Sequence, residues 1–129
     1  MSRRSGEVPG LTGSGCLVAA VAGSSLGAGG ALLLGRAWAD CEVGLNTAAN
    51  SFALLFVLGA VAVAGAVWWA VLWWLGSATR RWLTFALGVL GSLALLWGVT
   101  ALWHAPGGYP AATCGPGGRP TWWPGWLPL

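Results

Sequence analysis

Charge is scarce in this chain: only 7% of its 129 residues are Asp, Glu, Lys or Arg, and the acids number three, Glu7, Asp40 and Glu42. Lysine is missing altogether, so the net charge of +3 rests on six arginines placed in pairs and singles. That scatter is not the clustered basic footprint of a nucleic-acid binder, and no nucleic-acid partner is expected. Isoleucine and glutamine are missing too, while Gly, Ala, Arg, Pro and Trp abound, a usage that GC-rich codons produce and that points to a high-GC bacterial genome. With 57% of its residues hydrophobic, a chain of this length could not bury its apolar side chains in a water-soluble core. A bilayer is the solvent that fits.

Catalytic vocabulary is equally thin. There is one histidine, His104, and it has no Ser or Cys partner at a spacing that would make a nucleophile and base. Cys41, Cys114, His104, Asp40 and Glu42 could be gathered on paper, but no CxxC or HxxxH spacing supports a metal or thiol-redox site. The glycines fall in an apolar segment and a proline-rich tail rather than between a strand and a helix, so no phosphate-binding loop is present. Proton- or ion-coupled carriers keep an ionisable group in mid-membrane; here the interiors of the apolar segments, away from Arg36 and Ser51 at their ends, hold only Ser24, Ser25, Thr84, Ser92 and Thr100 as polar side chains. These hydroxyls can bond to the carbonyl of the preceding turn. The expectation is a protein that is not an enzyme and takes no cofactor and no small-molecule substrate.

Long apolar runs supply the organisation. Ser51 to Leu75 and Trp82 to Trp103 contain neither charge nor proline, and each reaches the roughly 20 residues a helix needs to cross about 30 Å of hydrocarbon. Arg80-Arg81 closes the turn between them. An earlier and lighter run, from Cys16 to Trp38, makes a third span. In it Ala19, Gly23, Gly27, Ala31 and Gly35 recur every four residues, with Ala20, Ser24 and Ala28 alongside, a small-residue face that another helix can approach closely. Gly, Ala and Ser together make 52 of the 129 residues, so such spacing also arises by composition. The same segment admits a second reading as a cleaved export signal, with Arg3-Arg4 before it and Ala37-Trp38-Ala39 as the site, although it is longer than such signals usually are.

The expected fold is therefore an all-α membrane protein: a disordered cytosolic leader over 1–15, helices near 16–38, 51–75 and 82–103 within a 16–104 membrane domain, and a tail over 105–129. Asn50 or Ser51 is placed to cap the second helix. Trp68, Trp69, Trp73 and Trp74 fall at roughly 0°, 100°, 140° and 240° around that helix, which suits an interfacial belt. The tail holds six of the seven prolines, so it is expected to be extended, and Trp122, Trp123 and Trp126 on it are expected either to lie on the headgroup region or to dock a partner.

Orientation follows from positive charge near the spans. With the N-terminus inside, Arg3, Arg4, Arg80 and Arg81 are cytosolic against Arg36 and Arg119 outside, giving N-in, C-out. Three spans then bring Cys41 and Cys114 to the same outer side, where thiols oxidise, and a Cys41–Cys114 disulfide would tie the tail across the bundle. The layout of basic leader, three spans, outer cysteine loop and a Trp-Trp-Pro-x-Trp-Leu-Pro ending resembles small integral membrane proteins of high-GC Gram-positive bacteria, and the resemblance implies a multi-pass protein of the bacterial plasma membrane without implying an activity. The expected role is an accessory or assembly component of a membrane complex, contacting lipid and another membrane protein or itself. A self-assembling, holin-like pore is the alternative.

Overall fold

The computed structural model describes residues 13–41, 48–76, 80–104, 114 and 119–129. Three α-helices account for most of them, α1 (Gly13–Asp40), α2 (Ala48–Leu75) and α3 (Arg81–Trp103), and no strand occurs among the described residues. All three are long and apolar enough to cross a membrane. Each begins before the apolar run that announces it. Ala48 and Ala49 are strong helix formers, so α2 starts ahead of Asn50 and Ser51, which lie inside its first turn and not at its N-cap. At the other end of the chain's first segment, Gly13 to Gly15, expected in the leader, are already helical. Arg3, Arg4 and the rest of the leader lie outside the described residues.

The α1–α2 seam is closed by glycine. A Cβ built on Gly23 would stand 2.5 Å from the Ala62 carbonyl oxygen and 2.7 Å from the Ala66 Cβ; one on Gly27 would stand 2.5 Å from the Leu58 carbonyl oxygen. Gly65 answers from α2, its Cβ position lying 3.4 Å from the Gly23 Cα. Backbones this close gain dispersion along their whole length, the way small residues hold helices together where lipid removes the hydrophobic drive. The buried line on α1 runs Gly15, Ala19, Gly23, Leu26, Gly27, Gly30, Leu34, Ala37 and Trp38. It follows the 3.6-residue period, whereas a strict four-residue ladder drifts by about 40° per step. Ala19, Gly23 and Gly27 therefore sit in the seam, while Ala31 and Gly35 are half-buried at its edge, Gly35 with only the Leu54 Cδ1 near it at 3.9 Å.

α3 is attached differently. Its buried residues are Thr84, Gly88 and Thr100, and two indoles from α2 lie in the hollows its glycines leave, Trp69 over Gly88 and Trp68 over Gly91. The Trp69 Nε1–H donates to the Ser92 hydroxyl at 3.1 Å, and that hydroxyl donates to the Gly88 carbonyl at 2.7 Å. From α1, the Trp38 Nε1–H donates to the Trp103 carbonyl at 2.8 Å, satisfying one of the carbonyls that a helix end leaves over. Trp38 is 1% exposed, so it belongs to the core and not to an outer belt.

Candidate interaction surfaces

Three features distinguish the surface of this bundle: a clasped tail at one end, an open seam between α2 and α3, and a notch beside Arg80 at the other end.

The clasp begins where α1 stops. Cys41, whose N–H bonds to the Ala37 carbonyl at 3.1 Å, is joined by a disulfide to Cys114, with the two Cα atoms 4.8 Å apart. Next to it, the Asp40 carboxylate accepts from the Thr121 backbone N–H at 2.8 Å and from the Thr121 hydroxyl at 2.9 Å. Asp40 stands beyond the apolar run of α1, and these two donors, the backbone one first, hold its carboxyl below the usual value of 3.8. Arg36 adds a smaller pull in the same direction. A third fastening lies on α3, where the Trp97 Nε1–H donates to the Pro128 carbonyl at 2.9 Å. Trp97 precedes the last residue of α3 by six positions, so the end of the tail lies about 9 Å back along that helix.

The described tail is folded and not extended. Leu127 N–H bonds to the Pro124 carbonyl and Trp123 N–H to the Pro120 carbonyl, each at 3.0 Å, giving two successive turns. Proline stops a helix or a strand but its carbonyl still accepts, and that is how the turns close. Arg119 donates to the Gly125 carbonyl at 3.3 Å. Trp123 is half-buried, its Nε1–H on the Leu127 carbonyl and its ring edge-on to Trp122. Trp126 is left 81% exposed. His104 ends α3 with its Nδ1–H on the Ala101 carbonyl at 2.9 Å.

The open seam follows from how α3 is held. Two indoles separate α2 from α3 where glycine lets α1 and α2 meet. A groove of about 360 Å³ lies beside Ala64, Trp68, Gly91 and Leu95, and another of about 180 Å³ between Phe56, Ala60, Val99 and Leu102. Leu90, Leu93 and Leu102 on α3 are 59–79% exposed.

At the Arg80 end, the aromatic residues of α2 go to different neighbours. Trp73 packs on Gly15 of α1, meets Phe85 edge-on, and lies under the Arg81 guanidinium at 5.3 Å. Trp74 is 58% exposed. The wide angular spread of the four indoles thus puts Trp73 on α1 and Trp68 and Trp69 on α3, a packing role that their composition alone did not disclose. Beside them a notch of about 340 Å³ opens between the end of α2 and the first turn of α3. Comparison with protein-family models, with curated proteins and with solved structures finds no match to this chain.

Proposed function

We propose that the chain is a multi-pass integral membrane protein of a bacterial plasma membrane that works as a non-enzymatic accessory or assembly component of a larger membrane complex. The observation that carries this reading is the α2–α3 seam. Its grooves beside Ala64 and Ala60 are apolar and unfilled by the described residues, whereas the α1–α2 seam is closed to backbone contact. A foreign helix lying over Ala64 and Leu95 would complete the packing. Gly23 and Gly27 are not the surface it would use, because α2 already occupies them.

The proposed topology is N-in and C-out, with the tail on the outer side. Arg80 and Arg81 mark one end of the hairpin, and the oxidised Cys41–Cys114 pair, an arrangement that persists outside the cytosol, marks the other. Trp122 and Trp126, facing outward from the clasped turns, form a second contact for the same partner.

Affinity purification from mild detergent, with cross-linking and mass spectrometry, tests the reading. It predicts one stoichiometric foreign membrane protein, released when the groove is filled by Ala64→Leu and retained by Gly59→Leu, a position with open space around it. Recovery of the same complex with Ala64→Leu would refute the role of the seam.

A homo-oligomer, including a pore, is favoured by a separate observation. Ala20, Ser24 and Ala28, the second small-residue row of α1, are all exposed together with Ser25. Small residues four apart support helix pairing in lipid. Discrete oligomers lost on Ser24→Leu, with no foreign protein recovered, would move the assignment to self-assembly.

A further inference from the structure

The notch at the Arg80 end has the chemistry of a headgroup site. Its floor and walls are Leu72, Leu75, Leu83 and Leu87, apolar surface running from the helix ends towards the middle of the hairpin. Its rim is Arg80, exposed and without a side-chain cap to the first turn of α3. The first turn of α3 has backbone N–H groups that the Arg80 side chain does not cap, and such groups favour an anion. Thr84 supplies a second, independent sign. It is 8% exposed and lines the notch, yet its hydroxyl makes no hydrogen bond among the described residues. The comparable hydroxyls of Ser92 and Thr100 bond back to the Gly88 and Leu96 carbonyls at 2.7 and 2.8 Å. Among the described residues no buried side-chain oxygen is left unpaired, so the Thr84 oxygen is reachable from the space that Thr84 lines, beside Gly76. Gly76 opposite keeps that space, since a Cβ there would meet the Thr84 oxygen.

Charge selects the sign of the ligand. Arg81 is turned over the Trp73 ring and Arg80 lines the notch; the one acid among the described residues, Asp40, is at the far end of α1. A single ligand that satisfies guanidinium, hydroxyl and helix terminus while covering four leucines carries a phosphate and an acyl chain. We propose that this notch binds one anionic phospholipid, its phosphate between Arg80, Thr84 and the first turn of α3 and one acyl chain along Leu72, Leu75, Leu83 and Leu87. The proposal rests on the membrane-spanning part of the function proposed above and not on the accessory role.

The test uses the full chain in mild detergent, titrated with dioleoyl phosphatidylglycerol or dioleoyl phosphatidylcholine and read by native mass spectrometry. The expected result is one phosphatidylglycerol retained per chain, with phosphatidylcholine retained far less. Arg80→Gln should weaken phosphatidylglycerol retention about fivefold, the effect of one arginine at a charged surface. Thr84→Val should weaken it about threefold, and Arg119→Gln, at the other end of the bundle, should leave it unchanged. Equal retention of the two lipids, or full retention by Arg80→Gln, would overturn the site. Displacement by millimolar orthophosphate would overturn the lipid assignment, because it would show a phosphate site that needs no acyl chain. Flotation with vesicles of phosphatidylcholine alone separates the two levels. A chain that floats but does not prefer the anionic lipid loses only the notch, and a chain that does not float loses the membrane reading as well.

Discussion

A single methyl group placed on Gly27 tests how the bundle is held. It would stand 2.5 Å from the Leu58 carbonyl oxygen and 2.8 Å from the Ala62 Cβ, where ordinary contact between carbons begins near 3.5 Å. Neither neighbour can swing away, since one is backbone and the other a Cβ, so α1 and α2 must part by about 1 Å along the seam. Overpacking of this kind costs roughly 1–3 kcal/mol, and the better helix propensity of alanine returns at most about 1 kcal/mol. Gly27→Ala should therefore destabilise the bundle by about 1–2 kcal/mol on those figures. Gly98→Ala is the matched control: it too lies within a helix, but nothing stands within 4 Å of its Cβ position, so it should be neutral or slightly stabilising. Equilibrium unfolding in mixed micelles, followed by tryptophan fluorescence, measures both. Equal stabilities for the two variants would refute the closed glycine seam.

Other consequences follow from the same contacts. Gly88→Ala should cost less than Gly27→Ala, because the obstacle is the far edge of the Trp69 ring, but it should break the Trp69–Ser92 hydrogen bond and increase the exposure of Phe85, readable as faster exchange of α3 amides. Trp38→Phe keeps the buried ring and removes the donor to the Trp103 carbonyl; interhelical hydrogen bonds in membranes average about 0.6 kcal/mol, and a loss of that order in the unfolding assay is expected. Reduction of Cys41–Cys114 opens a loop spanning 73 positions, for which chain entropy sets an upper figure of about 4 kcal/mol; the tail turns should then become protease-sensitive while the helices do not. Asp40 has a folded pKa below its ordinary 3.8, so its grip on Thr121 is present in full above that value and is lost as pH falls through the lowered one. The Thr121 amide resonance should shift only in that acidic window, and Asp40→Ala should abolish the transition.

Much of the fold was legible in the residues because long apolar runs have few stable forms. A charge-free, proline-free run such as 82–103 announces a helix long and apolar enough to cross a membrane, and that inference needs only length and composition. The small-residue row of α1 was legible as a packing face, but not its drift past Gly27, because the partner's own contour decides which residues of a 3.6-period helix it meets. The four indoles of α2 illustrate the limit from the other side. Their angular spread was computable, yet whether a tryptophan lies in lipid or in the hollow over a glycine depends on where Gly88 and Gly91 of another helix fall. The tail turns were hidden for a different reason: proline forbids helix and strand, and what it allows instead is set by Asp40, Cys41 and Trp97, each distant in the chain. The notch at Arg80 likewise joins the end of one helix to the start of the next, and a basic pair read alone speaks of orientation before it speaks of ligand.

The accessory reading stands or falls on what lies against the α2–α3 seam in a native membrane. A photoreactive phenylalanine analogue placed at Ala64, in chain expressed at its natural level, reports that neighbour directly, with Gly59 as the control position in open space. The account predicts one foreign membrane protein joined to position 64 and only lipid joined to position 59. Lipid alone at both positions would contradict it.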